Sequence, residues 1–263
     1  MFKGTSASAG IGIGKAVIVE EAELVITRNE VADAEGEIQR FKGALEKTIA
    51  VTQKMADDLA SRVGEKEAEI MQGHMMLLSD PMLTGKIENS VRNDKVNSEF
   101  AIENVCNMYA DMFASMGDEL MQQRATDMRD IKVRMQRTLM GLESVDVSLL
   151  PKGSILVAKD LTPSMTAGIN PENVSGIVTG LGGKTSHSAI LARALEIPAV
   201  VAVNGLMDAV KDGDKVVLDG STGEVFVDPE ASVEKEYEEK RTQFLKDKKE
   251  LEGKHLGFFT EFP

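Results

Sequence analysis

The stretch GIVTGLGGKTSHSAILARALEIPAVVAV, residues 176–203, combines two β-like runs with a glycine loop and a helix pattern between them. The runs GIVTG (176–180) and PAVVAV (198–203) are short, apolar and rich in branched residues, which is typical of buried strands. From Ser186 onward, apolar residues recur at helical spacing. A strand, a helix and a strand in this order predict a βαβ unit, and therefore an α/β fold.

Further short apolar runs flank this unit: SILVA (154–158), KVVLDG (215–220) and EVFVD (224–228). Glycine, aspartate and proline separate them, as expected of turns between strands. The N-terminal GIGIGKAVIV is interpreted as a turn into another strand of the same sheet. We therefore predict an α/β subdomain made of residues 1–22 and 146–229.

Residues 30–144 separate these two segments and carry apolar side chains every three or four positions, which predicts helices. Gly64 interrupts the pattern, and a second helix is expected over Glu65–Leu78. Asp80-Pro81 is typical of an N-cap followed by proline at the first helical position. The expected fold class is α/β plus all-α, with a helical bundle inserted into the α/β subdomain.

The C-terminal part of the chain has a different composition. Residues 230–255 are highly charged and predict a linker helix with a solvated face. Residues 256–263 crowd phenylalanines into a tail to which we assign no role.

Composition argues against several classes of partner. The chain has 263 residues, 42% of them hydrophobic, and a formal net charge of −13. This acidity disfavours nucleic acid, because affinity for phosphate backbones comes from Lys and Arg. It suits a basic protein partner, and on charge alone a surface kept soluble by excess acid is an equal alternative. No apolar run is long enough to span a membrane, and the single cysteine, Cys106, excludes an internal disulfide. A cytoplasmic protein is expected, and without metal-ligand spacing of His or Cys no metal is predicted.

The loop before the predicted helix has the chemistry of an anion site. Gly182 and Gly183 permit close approach of the backbone to a ligand, and a helix N-terminus offers N–H groups and the positive end of its dipole. Phosphate is the anion that such termini are best known to bind. Charge and hydroxyl groups for its stabilisation are expected from Lys184, Thr185, Ser186 and Ser188.

His187 falls within this predicted anion site. Positive surroundings favour the neutral imidazole, whose bare nitrogen is a nucleophile. Attack on phosphorus would place the phosphoryl oxygens among the groups just described, and such transfer depends mainly on positioning and charge stabilisation. The other ring nitrogen needs an acceptor that fixes its tautomer, and Thr166 is a candidate. From residue types alone, a polar helix-start residue with no reaction to perform remains an alternative for His187.

The segment GGKTSHSAILARALEIPAVV closely resembles the phosphohistidine signature of enzymes that use phosphoenolpyruvate. These are Enzyme I of the bacterial sugar phosphotransferase system, pyruvate phosphate dikinase and phosphoenolpyruvate synthase. Three further segments are similar to Enzyme I: GTSASAGIGIGKAVIV (4–19), EKEAEIMQGHMMLLSDPML (65–83) and RATDMRDIKVRM (124–135). The likeness covers roughly residues 1–250 and corresponds to the N-terminal phosphotransfer half of that family.

This resemblance implies a phosphotransferase with a swivelling phosphohistidine α/β subdomain. His187 would be phosphorylated and would pass the phosphate reversibly to the carrier protein HPr, while Thr166 would hold the other imidazole nitrogen. The helical block would bind HPr. The matching positions are Glu65, Glu67, His74, Met76, Leu77, Asp80 and Arg124.

The resemblance also implies what the chain would lack. The family's C-terminal barrel, with its phosphoenolpyruvate and magnesium sites, is not matched, so exchange with phospho-HPr but not with phosphoenolpyruvate is expected. The missing barrel would be the second partner, and magnesium would come only with it. We therefore expect no cofactor in this chain, no nucleic acid or membrane partner, and a monomer.

Two other functions remain open. One is the swivelling domain of a dikinase or synthase, although those proteins place the motif between other domains. The other is a non-enzymatic helical binding module. By residue type alone, His74 is more typical of a packed helix residue than of a catalyst, and Cys106 is expected in the core.

Overall fold

The computed structural model describes the backbone of residues 1–258 and the side chains of residues 1–251. The chain divides into two compact units. The α/β unit comprises Met1–Glu20, Val147–Leu161 and Ile169–Pro263, and the helical unit comprises Glu21–Asp146 and Thr162–Gly168.

The α/β unit is built on a mixed sheet that has eight strands within the described part of the chain. They are β1 (Phe2–Lys3), β2 (Thr5–Ser8), β3 (Ile11–Ile18), β4 (Ser154–Ala158), β5 (Val174–Thr179), β6 (Ala199–Val201), β7 (Lys215–Asp219) and β8 (Glu224–Val227). Their order across the sheet is β1-β8-β7-β3-β4-β5-β6-β2. The central strands β3 to β6 run parallel, and β4 is buried along its whole length, as expected of a parallel sheet.

The N-terminal segment joins the sheet as predicted, but as three strands where a single one was expected. β1 pairs with β8 at one edge, β2 pairs with β6 at the other, and β3 lies in the centre between β7 and β4. Gly10 has φ +125° and turns the chain from β2 into β3, a conformation that glycine adopts without steric cost.

Among the described residues, the α/β unit has three α-helices: α7 (His187–Ala194), α8 (Leu206–Ala209) and α9 (Ala231–Phe258). α9 corresponds to the helix predicted over 230–255. Tyr237 is its buried anchor, packed on Ile11 and Val217, and it donates a hydrogen bond to Glu224 at 2.9 Å. Of the proposed tail 256–263, residues 259–263 lie outside the described residues.

The helical unit contains α1 (Ala34–Arg62), α2 (Glu65–Leu78), α3 (Pro81–Asp94), α4 (Ser98–Ser115), α5 (Glu119–Met140) and α6 (Pro163–Ala167). Gly64, with φ +144°, separates α1 from α2, and Asp80 caps α3 by accepting from Met82 N at 2.8 Å, as predicted. Cys106 is buried in this core, also as predicted. The largest buried core residues include Ile38, Phe41, Leu78, Ile87, Ile102, Met128, Ile131 and Met135.

The segment Thr162–Gly168 corrects the predicted boundaries. It was expected within the α/β subdomain at 146–229, but it packs with the helices, because α6 contacts α1, α2 and α5. No helix among the described residues is long and apolar enough to cross a membrane.

Candidate functional site

The glycine loop connects β5 to α7 and has two glycines with different roles. Gly182 has φ +101°, a conformation that side-chain-bearing residues rarely adopt. A Cβ there would meet its nearest neighbours at an ordinary 3.7 Å, so the backbone, not space, requires glycine. A Cβ at Gly183 would meet nothing within 4 Å. Gly183 therefore leaves open space beside the start of α7.

Ser186 caps α7 and holds the loop in place. Its Oγ accepts from Ala189 N at 3.3 Å, which satisfies one N–H of the first turn. The same hydroxyl donates to Gly183 O at 2.8 Å and lies 2.9 Å from Ser188 Oγ. Because Ser186 has one proton, the Ser188 hydroxyl donates to it in this arrangement.

The structure divides the predicted phosphate-binding residues into two groups. Lys184 and Thr185 are exposed at the loop and are available to an anion. The hydroxyls of Ser186 and Ser188 are instead engaged within the loop, and Ser188 is 2% exposed. In this arrangement the two hydroxyls support the loop and the helix start, and their direct contact with phosphate stays a prediction.

His187 is the first residue of α7, as the predicted helix start near Ser186 requires. The residue is half-buried, and both ring nitrogens are shielded from solvent. A ligand therefore reaches either ring nitrogen only when the ring becomes accessible.

Thr166 lies on α6, in the helical unit, and is 1% exposed. Its hydroxyl donates to Thr162 O at 2.7 Å, which leaves the oxygen lone pairs able to accept a hydrogen bond. Thr166 therefore has the acceptor capacity that an imidazole N–H needs. Its pairing with His187, which lies in the other unit, stays a prediction.

The predicted carrier-binding residues lie on α2, at the start of α3 and on α5. Glu65 is exposed, and Met76 is 73% exposed, an unusual position for a large apolar side chain. Glu67 is half-buried, and Leu77 packs partly against the bundle core. Asp80 is half-buried and already serves as the cap of α3.

His74 corrects the expectation of a surface residue, because its side chain is fully buried. Its Nε2 lies 3.1 Å from Asp127 Oδ1, and its Nδ1 lies 3.8 Å from Asp130 Oδ2. Arg124 Nη1 lies 3.6 Å from Asp127 Oδ2, so this arginine forms an ion pair within its own unit. A Cβ at Gly73 would lie 2.7 Å from the same nitrogen, so this glycine gives the guanidinium room over α2.

Asp127 and Asp130, the acidic residues nearest to His74 and Arg124, were not predicted from the sequence. Both are 5% exposed. Their three-residue spacing within RATDMRDIKVRM places them on one face of α5. That face also carries the buried Ile131. Two acidic residues on an apolar helix face indicate buried carboxylates with polar partners, and this pattern could have been recognised in the sequence.

Two protein-family models match the chain. The model described as PEP-utilising enzyme, N-terminal, matches residues 3–124, and the model described as PEP-utilising enzyme, mobile domain, matches residues 150–223. Among the described residues, no group of three His, Cys, Asp or Glu side chains converges to hold a metal ion.

Curated relatives and solved structures agree with these models. The phosphoenolpyruvate-protein phosphotransferase of Bacillus subtilis (strain 168) is 41% identical over 249 residues, which are 95% of this chain and 44% of the relative. That of Staphylococcus carnosus is 40% identical over 251 residues, with the same coverage. The chain thus spans less than half the length of these relatives.

Solved structures are also similar in fold. A solution structure of Enzyme I (nEIt) superposes with a TM-score of 0.80 at 38% identity, covering 93% of this chain and 99% of that one. A structure of the N-terminal domain of Enzyme 1-Nitrogen gives 0.58 at 26% identity, covering 91% and 98%. The predicted fold class and the resemblance stated from the sequence are both confirmed.

Proposed function

Because this chain belongs to the Enzyme I family of phosphoenolpyruvate-protein phosphotransferases, we propose that it transfers a phosphoryl group through His187, reversibly, to the carrier protein HPr. One observation carries the proposal. His187 begins α7 directly behind the glycine loop, where Ser186 caps the helix and Lys184 is exposed. This is the arrangement that a phosphohistidine site requires.

The reaction is an exchange of one P–N bond for another. A neutral His187 attacks the phosphorus of phospho-HPr through Nε2, the nitrogen that the resemblance implies. The bond from phosphorus to the carrier's imidazole breaks, and that ring leaves with its electron pair. The Nδ1 proton of His187 stays in place, and we assign its acceptor to Thr166 Oγ1. The positive end of α7 and Lys184 Nζ stabilise the charge on the phosphoryl oxygens.

The carrier-binding surface is assigned to Glu65, Glu67, Met76 and Leu77 on α2, with Arg124 beside them. Glu65 and Met76 are both exposed and lie on the same side of α2, about three turns apart, and such a face suits a partner with a basic rim and an apolar centre. The net charge of −13 favours the same partner at longer range. His74 and Asp80 contribute indirectly, since the first is buried and the second caps α3.

The activity of the whole enzymes is a separate part of the proposal, since this chain spans 44% of the length of its relatives. Transfer from phosphoenolpyruvate, with magnesium, is assigned to the C-terminal barrel that the resemblance implies. We propose that the present residues use no cofactor for exchange with HPr and act as a monomer in sugar uptake.

Incubation with phosphorylated HPr tests the proposal, with intact mass and peptide mapping at neutral to alkaline pH because phosphohistidine is acid-labile. A gain of one phosphate on His187 is the expected result. The His187→Ala variant should gain none while its affinity for HPr, measured by calorimetry, stays unchanged. The proposal would be contradicted if the alanine variant took up phosphate or if the parent chain took up none. The dikinase-domain and binding-module alternatives would then be favoured.

A further inference from the structure

α6, the helix that carries Thr166, is too short to hold its own position. It has five residues, Pro163–Ala167. An isolated helix of this length is not stable in water, because the nucleation cost exceeds what so few hydrogen bonds return. Both ends also leave backbone groups without helical partners. The position of Thr166 must therefore depend on side chains outside α6.

Asp130 of α5 holds the N-terminal end of α6. Its Oδ2 accepts from Ser164 N at 2.9 Å, and its Oδ1 accepts from Ser164 Oγ at 2.7 Å. The carboxylate is 4% exposed, and His74 Nδ1 lies 3.8 Å from its Oδ2. A buried carboxylate with two hydrogen bonds to one residue fixes both the location and the direction of the helix start. Its negative charge also matches the positive end of the helix.

Arg62, the last residue of α1, holds the opposite end. Its Nη2 donates to Ala167 O at 2.6 Å, next to Thr166 in the chain. A cation at the C-terminal end of a helix satisfies a carbonyl that has no helical partner and complements the dipole. An acid at one end and a base at the other thus hold α6 between two long helices of the same unit.

We propose that Arg62 and Asp130 are positioning residues for phosphoryl transfer, which set the location of the Thr166 hydroxyl. Neither residue contacts the reacting atoms in this assignment. Their role rests on the proposed function of Thr166 as the acceptor that fixes the His187 tautomer.

The test compares six variants for the rate of phosphate exchange with phospho-HPr, the affinity for HPr and the melting temperature. Thr166→Val removes the acceptor itself. Arg62→Gln removes the hydrogen bond to Ala167 O, and Ser164→Ala removes the hydrogen bond from Ser164 Oγ to Asp130 together with its contact to the cap residue Thr162. Arg92→Gln is the matched control, because Arg92 pairs with Glu35 at the surface of the same unit.

We expect Arg62→Gln and Ser164→Ala to slow phosphate exchange by about tenfold, because each weakens the positioning of Thr166 in the transition state by roughly the free energy of one hydrogen bond. The affinity for HPr should change less than twofold. The double variant Arg62→Gln/Thr166→Val should be no slower than Thr166→Val alone, since both act through one hydroxyl. Arg62→Lys, which can still donate to Ala167 O, should restore part of the rate, and Arg92→Gln should match the parent chain. The imidazole ¹⁵N chemical shifts of His187 should move in the same direction in Arg62→Gln and Thr166→Val.

Two results would overturn the inference and are distinguishable from failure of the proposed function. Slow exchange in Thr166→Val together with normal exchange in Arg62→Gln and Ser164→Ala would show that α6 needs neither contact. Normal exchange in Thr166→Val would remove the role of Thr166 and the positioning role with it, while phosphorylation of His187 would stand. Ser164→Ala keeps the test decisive if Arg62→Gln fails to fold, because it leaves the Ser164 N–H bond to Asp130 in place.

Discussion

Replacing Ser186 by alanine should destabilise the start of α7 by about 2 kcal/mol. Loss of the cap to Ala189 N accounts for about 1 kcal/mol of this. The buried Ser188 hydroxyl loses the partner it has at 2.9 Å, which costs about 1 kcal/mol more. Gly183 O adds little, because it still accepts from Ser186 N at 3.1 Å. For a chain of this size, roughly 2 kcal/mol lowers the melting temperature by about 4–8 °C.

Thermal unfolding of Ser186→Ala, Ser186→Thr and Ser186→Ala/Ser188→Ala measures these contributions separately. The threonine variant keeps the Oγ acceptor and should melt close to the parent chain. The double variant should recover about 1 kcal/mol relative to Ser186→Ala, because removing both hydroxyls leaves no unpaired group. Equal melting temperatures for the alanine and threonine variants would refute the capping role, and additive losses in the double variant would refute the serine pair.

Three further predictions use other parts of the chain. Burial raises the pKa of Cys106 to about 12, so the reagent DTNB should label no thiol in the folded chain and one after denaturation. Burial and the Glu224 carboxylate raise the pKa of Tyr237 to about 12, so ultraviolet titration should show a tyrosine ionising there that Tyr237→Phe lacks. Because folding raises the pKa of Tyr237, the stability that its protonated hydroxyl contributes is complete below about pH 10 and is lost as the pH rises through 12. Glu65→Lys should weaken HPr binding several-fold in calorimetry, whereas Glu46→Lys, at an exposed position of α1 outside the proposed surface, should not.

Features that depend on neighbours in sequence were predictable. The helix over Glu65–Leu78 has the predicted bounds because glycine before it and an acid-proline pair after it are strong local signals. The start of α7 follows for the same reason, since the cap and the residues it contacts lie within six positions of one another.

Features that depend on distant partners were not predictable. The first 18 residues form strands at both edges and in the centre of the sheet, because they pair with strands about 200 residues away. A strand of only two residues is too short to show a sequence pattern that would predict its partner. The burial of His74 was favoured by its residue type, but the resemblance placed it on the surface. The buried position of the polar His74 side chain is explained by the neighbouring acids of α5, Asp127 and Asp130.

The proposed nucleophile, His187, and the proposed acceptor, Thr166, differ in the same way, because the first depends on local contacts and the second on distant ones. The backbone at the proposed nucleophile is held by the contacts of Ser186 within the same loop, from Gly183 to Ala189, so we expect this backbone geometry wherever the sequence motif persists. The acceptor has no such local support, because α6 is fixed by Arg62, 105 residues away from Ala167, and by Asp130, 34 residues away from Ser164. We therefore expect substitutions in α1 and α5 to change the rate of the proposed phosphoryl transfer without altering any residue of the signature. A chain with an intact signature but without these two side chains should accept phosphate slowly while its α7 start stays as stable as in the parent.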